Sequence, residues 1–128
     1  MILVVGGAYN GKLSFVQEQF NISKENICFC NEENIDFSKQ VIYKFHKKIY
    51  MQRISGNNPV DELHKIKEKL KDKIIICDDI SSGIVPLKKE ERLWREDTGR
   101  CLQILSKEAN IIYRVFCGIP TLIKNEEL

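Results

Sequence analysis

Short runs of consecutive apolar residues alternate with longer amphipathic segments along this chain. The apolar runs cover residues 2–5, 27–30, 73–79 and 111–117, and each ends at a glycine or a polar cluster. Runs of this length are typical of strands buried on both faces of a parallel sheet. The segments at 12–20, 60–70 and 90–109 have apolar residues at helical spacing, and in the third these form a stripe of Trp94, Thr98, Cys101, Leu105 and Ala109. The alternation predicts an α/β fold with a mainly parallel sheet flanked by helices.

The segment between the second and third strands allows two interpretations. Apolar residues recur at four-residue steps in Phe37, Val41, Phe45 and Ile49, which favours a helix over residues 37–50. A strand over residues 40–45 is the competing interpretation. A turn follows at residues 55–59, where Gly, Asn and Pro cluster.

Composition indicates one soluble domain spanning residues 1–128. Apolar residues make up 43% and charged residues 30% of the chain, as in ordinary globular proteins. The net charge of +2 is too small to indicate a nucleic-acid partner or an anionic membrane surface. The apolar start turns into glycine at Gly6, too soon for a signal peptide, and no run has the length of a membrane span. We therefore expect a cytoplasmic protein.

The five cysteines do not form a disulfide or zinc pattern. Their number is odd, and no pair of Cys or His residues has the usual spacing of zinc ligands. Cys28, Cys77 and Cys117 lie in strand-like apolar runs, so we predict that they are small buried residues.

A glycine-rich segment joins the first strand to the first helix. We call residues 6–12 the glycine loop; it reads Gly6, Gly7, Ala8, Tyr9, Asn10, Gly11 and Lys12. This is the G-x-x-x-x-G-K pattern, in which glycines let successive backbone N–H groups face phosphate oxygens and the lysine reaches the outer phosphates. The pattern predicts a nucleotide-binding, P-loop NTPase-like domain. The alternative is a tight strand–helix turn that binds nothing.

The residue after the lysine departs from that pattern. A Ser or Thr hydroxyl normally binds Mg²⁺ there, whereas this chain has Leu13. Ser14 follows, but one helical step turns a side chain by about 100°, so Ser14 is not an obvious substitute. With Leu13 at this position, the motif supports phosphate binding better than Mg²⁺-dependent phosphoryl transfer.

The third predicted strand, residues 73–79, ends in two carboxylates. Asp78 and Asp79 stand where ligands bind in open α/β sheets, at the carboxyl ends of strands. One of them could hold Mg²⁺ directly or through water. A common alternative is that such an Asp only caps the next turn.

Arginines on the last predicted helix are a further candidate group. Arg92, Arg95 and Arg100 could bind phosphate or carboxylate groups, or they could form a solvated face with the glutamates of the same helix. Gly99 stands inside that helix, where glycine is unfavourable by about 1 kcal/mol, and a close backbone or ligand approach would explain it.

Several of these residues together resemble a known family. The chain is similar to the adenosylcobinamide kinase / adenosylcobinamide-phosphate guanylyltransferase enzymes of cobalamin biosynthesis. The similarity covers the glycine loop and, further on, Gly83-Ile84-Val85-Pro86, Arg92, Arg95, Gly99-Arg100, Ala109, Gly118-Ile119 and Ile123-Lys124.

The resemblance implies two activities and a set of partners. Enzymes of this family use ATP or GTP to phosphorylate the aminopropanol hydroxyl of adenosylcobinamide. They then transfer GMP from GTP through a guanylylated histidine, and they usually form homo-oligomers. His46 lies in about the region of that histidine, so the resemblance implies that it is the guanylyl acceptor. It also implies Lys12 as a phosphate-binding catalytic residue.

The sequence differs from the family pattern at several positions. Leu13 stands in place of a serine, Tyr9-Asn10 in place of Arg-Ser, and Asp78-Asp79 in place of Asn-Glu. The middle segment, residues 31–72, is also short. Besides an active enzyme, the sequence is thus compatible with a catalytically degenerate nucleotide-binding regulator or accessory subunit. A scaffold that kept the fold without the ligand is the third alternative.

Overall fold

The computed structural model describes residues 1–30, 34–80 and 88–126. The strands in these ranges are β1 (Ile2–Gly6), β2 (Ile27–Phe29), β3 (Val41–Tyr43), β4 (Ile74–Asp78), β5 (Ile111–Phe116) and β6 (Ile119–Asn125). The α-helices are α1 (Lys12–Phe20), α2 (Phe45–Ile54), α3 (Pro59–Ile66) and α4 (Lys89–Glu108), and short 3-10 turns lie at Lys24–Asn26 and Lys67–Leu70. None of the helices within the described ranges combines the length and the apolar character that crossing a membrane requires.

The six described strands form one sheet with the order β2-β3-β4-β1-β5-β6. Strand β1 lies between β4 and β5 and is parallel to both, and only the pairing of β5 with β6 is antiparallel. The predicted α/β fold with a mainly parallel sheet is confirmed. Because β1 and β4 are adjacent and parallel, the glycine loop and Asp78 come to the same edge of the sheet.

Alternate residues of the central strands pack into two separate hydrophobic layers. Leu3 and Ile75 point to the face covered by α2, α3 and α4, where they join Ile49, Leu63 and Leu105. The next residues along the two strands, Val4 and Ile76, point to the face covered by α1. This alternation follows from the two-residue period of a strand. The predicted stripe on α4 is confirmed, since four of its members are buried and Trp94 packs against the layer that contains Cys101, Leu105 and Ala109.

The segment at residues 37–50 is a strand followed by a helix. The prediction of one helix over this range is wrong, and the competing strand is right for Val41–Tyr43. Val41 and Ile42 are fully buried between β2 and β4, an environment that favours β-branched residues. Lys44 then adopts a left-handed conformation (φ 62°), which separates the strand from α2.

The last strand was not predicted from the sequence. Cys117 (φ 49°) and Gly118 (φ 76°) both have positive φ, so they form the two-residue turn of a hairpin between β5 and β6. Pro120 is accommodated because β6 is an edge strand. The expected burial of Cys117 is wrong, because its place in the turn exposes it; Cys28 and Cys77 are buried as predicted.

Candidate functional site

The glycine loop curls over the carboxyl end of β1, and two of its glycines are required by its geometry. A Cβ on Gly6 would lie 2.4 Å from the carbonyl oxygen of Val115 on the neighbouring strand. Gly11 has a left-handed backbone (φ 81°) and precedes the first residue of α1. Both positions exclude ordinary side chains, so the loop geometry depends on the glycines of the sequence pattern.

Neighbouring elements hold the loop from two sides. The backbone N–H of Gly118 donates to the carbonyl oxygen of Asn10 at 2.8 Å, and that of Cys117 lies 3.4 Å from Asn10 Oδ1. On the other side, the N–H of Asp79 donates to the carbonyl oxygen of Gly6 at 2.8 Å. The hairpin turn and the end of β4 therefore fix where the loop begins and where it bends.

Lys12 lies inside the site rather than in solvent. Its side chain is 5% exposed, and its Nζ lies 2.7 Å from Asp78 Oδ1. The same amine donates a hydrogen bond to the carbonyl oxygen of Gly7 at 2.6 Å. The cation that the motif assigns to phosphates is thus paired with the first of the two predicted strand-end carboxylates.

His46 contacts the same aspartate from the other side. Its Nδ1 accepts a hydrogen bond from the backbone N–H of Asp78 at 3.1 Å, and its Nε2 lies 3.4 Å from Asp78 Oδ2. Burial lowers the pKa of His46, the Asp78 charge opposes this, and the neighbouring lysines lower the pKa further. The imidazole is therefore held neutral near pH 7. Because Nδ1 accepts a hydrogen bond, the proton of the neutral ring is on Nε2.

These groups surround one cavity of about 390 Å³, which we call the loop cavity. Its walls are residues 8–14, the end of β3 at Tyr43 and Lys44, the start of α2 at His46 and Lys47, and Asp78. Tyr43, Lys44 and Lys47 were missed at the sequence level because the segment was assigned to one helix. The strand interpretation would have placed Tyr43 and Lys44 at the carboxyl end of a parallel strand, where ligands bind.

The position after Lys12 offers no hydroxyl. Leu13 lines the loop cavity and also packs against the hydrophobic layer on the α1 face of the sheet. Ser14 reaches the cavity wall as well, although it was not an obvious candidate. Leu13 therefore has a packing role that a polar side chain would not fill.

The donor groups suit a Mg²⁺ ion that arrives with phosphates better than one held by the protein alone. No group of three or more His, Cys, Asp or Glu side chains converges on a metal position within the described ranges. Mg²⁺ is commonly held by one or two carboxylates together with substrate phosphates, and Asp78 faces the loop cavity. Asp79 follows it and is half-buried. Their role as Mg²⁺ ligands stays a prediction.

The arginines lie on α4, away from the wall of the loop cavity. Arg92 and Arg100 are exposed and Arg95 is half-buried, and none of them is among the described residues that line this cavity. Residues 83–86, the Gly-Ile-Val-Pro motif, lie outside the described ranges. Phosphate binding by the arginines stays a prediction. The close backbone approach expected at Gly99 is wrong for the described residues, since none of their atoms lies within 4 Å of a Cβ built there.

A family model for cobinamide kinase / cobinamide phosphate guanyltransferase matches residues 37–123. The match covers roughly two thirds of the chain and includes His46, Asp78 and the three arginines. It begins after the glycine loop, so the assignment of that loop depends on its own sequence pattern and geometry. No curated protein matches the chain significantly.

Proposed function

The chain belongs to the cobinamide kinase / cobinamide phosphate guanyltransferase family, and we propose that it binds GTP or ATP with the phosphates on the glycine loop. The observation that carries the proposal is the convergence of Lys12 and His46 on Asp78 inside one cavity. A lysine for the phosphates and a neutral histidine for nucleotidyl transfer are the two groups that the family chemistry needs. We further propose that residues 1–128 form one nucleotide-binding domain with a short middle segment at residues 31–72.

The charges around the loop cavity support a polyphosphate ligand. Lys12, Lys44 and Lys47 line it together with Asp78, so its described ionised groups carry a positive balance. The first turn of α1 adds backbone N–H groups at the positive end of a helix. A bound phosphate would pair with Lys12 in place of Asp78, so one ion pair would replace another.

We propose His46 as the guanylyl acceptor. Its Nε2 would attack the α-phosphorus of GTP, the bond to pyrophosphate would break, and pyrophosphate would leave. The lone pair of Nε2 is free only in the tautomer whose proton is on Nδ1. For the attack, Nδ1 would therefore release the backbone N–H of Asp78 and take a proton from water, while Asp78 Oδ2, 3.4 Å away, would take the proton from Nε2. GMP would then pass to a phosphate oxygen of the cobinamide phosphate, which breaks the phosphorus–nitrogen bond and restores the histidine.

The kinase reaction would use the same loop. A cobinamide hydroxyl oxygen would attack the γ-phosphorus of ATP or GTP, the nucleoside diphosphate would leave, and the hydroxyl proton would pass to water. Lys12 would stabilise the charge on the transferred group. We propose that Asp78 and Asp79 would hold a Mg²⁺ ion that enters with the nucleotide, and this ion would supply positive charge at the phosphates. Arg92, Arg95 and Arg100 stay proposed contacts to phosphate or acceptor groups.

A regulator or accessory subunit that binds nucleotide without catalysis is the second candidate function. Leu13 favours it, because this side chain packs in the apolar layer at the position where a hydroxyl would bind Mg²⁺. Such a protein would bind nucleotide through Lys12 with little dependence on Mg²⁺, and it would form no product.

Calorimetric titration with GTP and with ATP, each with and without Mg²⁺, tests the binding proposal. We expect saturable binding that Lys12→Ala abolishes, while Lys24→Ala, at an exposed lysine outside the loop cavity, retains it. Binding that ignores Mg²⁺ favours the regulator. If the folded protein binds neither nucleotide, the proposal fails and the scaffold is the remaining interpretation.

Intact-mass spectrometry after incubation with GTP tests the catalytic proposal. We expect a GMP adduct that disappears in His46→Asn and persists in His64→Asn, a matched change at an exposed histidine. Addition of cobinamide phosphate should discharge the adduct. An unmodified protein under saturating GTP, with no phosphorylated cobinamide, would contradict the enzyme and leave the regulator.

A further inference from the structure

A second cavity shares a wall with the loop cavity. It has a volume of about 330 Å³ and is lined by Cys30, Lys47, Tyr50, Met51 and Trp94. Lys47 also lines the loop cavity, so the two cavities are neighbours. We call this second space the aromatic cavity.

The aromatic side chains of this cavity are held in place by α2 and α4. The indole N–H of Trp94 donates to the carbonyl oxygen of His46 at 2.7 Å. The Trp94 ring lies 5.1 Å from the Tyr50 ring, and it stacks on the His46 imidazole with centroids 6.2 Å apart. An indole fixed in this way offers a rigid surface for a flat ligand.

The walls of the aromatic cavity are mostly uncharged. Burial raises the pKa of the Cys30 thiol to about 12, so this thiol stays neutral at physiological pH. Lys47 is the one ionised side chain among the five lining residues, and it lies on the side shared with the loop cavity. The chemistry suits a planar aromatic ring that is joined to an anionic group at the Lys47 side.

Successive contacts link four side chains. Trp94 stacks on His46, His46 Nε2 lies 3.4 Å from Asp78, and Asp78 lies 2.7 Å from Lys12. A nucleotide has its base, α-phosphate and outer phosphates in a corresponding order. With the outer phosphates at Lys12, the α-phosphate would come to His46 and the base to Trp94.

We propose that the aromatic cavity is the nucleobase subsite, in which Trp94 and Tyr50 stack against the base of the nucleotide whose phosphates occupy the glycine loop. The inference rests on the proposed nucleotide binding and assigns residues that the sequence did not indicate. Stacking tolerates any base, since every base has an aromatic face. The subsite therefore accepts both guanine and adenine.

The test uses the single tryptophan of the chain, Trp94, whose fluorescence reports on this cavity. GTP, ATP and inorganic tripolyphosphate are titrated into the full chain, with calorimetry in parallel. We expect GTP and ATP to quench the fluorescence saturably, and tripolyphosphate to bind without a comparable change. Quenching by tripolyphosphate to the same extent would mean that the signal comes through His46, and it would overturn the assignment of the base.

Two variants separate the base contact from the phosphate contact. Tyr50→Leu should weaken GTP binding by about tenfold through the loss of a stacking partner, and Trp94→Phe, which keeps a smaller aromatic face, should weaken it by less; tripolyphosphate affinity should be unchanged in both. Phe116→Leu, at an aromatic residue that is 64% exposed on β5, is the matched control and should change neither affinity. Unchanged GTP affinity in folded Tyr50→Leu and Trp94→Phe would overturn the subsite.

The outcomes also separate this inference from the proposed function. If GTP and tripolyphosphate both bind with similar affinity and no quenching occurs, the base subsite fails and phosphate binding by the loop stands. If neither ligand binds the folded protein, the proposed function fails and the subsite fails with it.

Discussion

The Nζ of Lys12 lies 2.7 Å from Oδ1 of Asp78, so an ion pair joins the first residue of α1 to the last residue of β4. Any phosphate that binds to Lys12 has to compete with this carboxylate. The pair keeps a buried cation compensated while the loop is empty, and it makes the first step of phosphate binding an exchange of anions.

Replacement of Asp78 should therefore strengthen nucleotide binding when Mg²⁺ is absent. In Asp78→Asn the competing charge is gone, and we expect an affinity gain of about tenfold for GTP in EDTA, equivalent to about 1.4 kcal/mol. Calorimetry measures this gain. Asp72→Asn, at an exposed aspartate with an 83% exposed side chain, is the control and should have no effect. Weaker Mg²⁺-free binding in Asp78→Asn would show that the carboxylate supports the ligand rather than competing with it.

A hydroxyl at position 13 should restore the missing part of the motif. We expect Leu13→Thr to make nucleotide binding more dependent on Mg²⁺, because the hydroxyl supplies a metal ligand next to Lys12. The change should also lower the free energy of unfolding by about 1 kcal/mol, since Leu13 packs in the α1 layer. Titration at several Mg²⁺ concentrations and urea unfolding measure the two effects. Leu13→Ala should show the loss of stability without the gain in Mg²⁺ dependence; an equal gain in both variants would contradict the role of the hydroxyl.

Two glycine-to-alanine changes should have opposite effects on stability. Gly6→Ala should destabilise the protein by about 3 kcal/mol, because its Cβ would lie 2.4 Å from a backbone oxygen of β5. Gly99→Ala should stabilise it by about 1 kcal/mol, because the position is inside α4 and has open space in the described structure. Urea unfolding compares the two variants with the parent. A destabilised Gly99→Ala would point to a contact at this position and contradict the open space.

Thiol chemistry should distinguish Cys117 from the other cysteines. Cys117 is exposed, whereas burial raises the pKa of Cys30 and Cys101 to about 12 and that of Cys77 well above its ordinary value. Iodoacetamide at pH 8 should therefore label Cys117 in the folded protein and all five cysteines in urea, as peptide mass spectrometry can show. Rapid labelling of Cys30 or Cys101 in the folded state would contradict their burial.

The same burial predicts how stability changes at high pH. Thiols of the unfolded chain ionise near the ordinary pKa of 9.0, whereas Cys30 and Cys101 in the folded chain bind their protons up to about pH 12. The unfolded state thus loses protons first, and the free energy of unfolding should fall as the pH rises from 9 to 12. Urea unfolding at several pH values measures this decrease, which should be smaller in Cys101→Ala.

An ion pair joins α2 to α4, and the removal of only one of its partners should destabilise the fold. Asp97 is 1% exposed, and Arg53 binds both of its oxygens, at 2.7 and 2.8 Å. Arg53→Met leaves a buried carboxylate without its partner, so we expect a loss of about 3 kcal/mol in urea unfolding. The double variant Arg53→Met/Asp97→Leu should recover most of this loss. Equal stability of the single and double variants would contradict the buried-charge explanation.

Local patterns in the sequence predicted the fold class and the loop but not the whole site. The strand–glycine–lysine pattern is contained in a dozen residues, and the position of Asp78 followed from the parallel sheet. The strand at Val41–Tyr43 was harder to predict, because three residues are too few to show a two-residue period. The spacing of Phe37, Phe45 and Ile49 also favoured a helix. The distance between His46 and the loop depends on long-range strand order, which no local pattern records.

The hydrogen bonds between Asn10 and the hairpin turn connect the edge of the sheet to the proposed ligand site. Gly118 donates to the Asn10 carbonyl, so a loop that tightens around a ligand would pull on the turn that connects β5 and β6. Ligand binding at the loop would then be detectable as slower amide hydrogen exchange in β6. A truncation that removed this strand would leave the loop without the brace on its outer side, although every residue of the glycine motif would still be present.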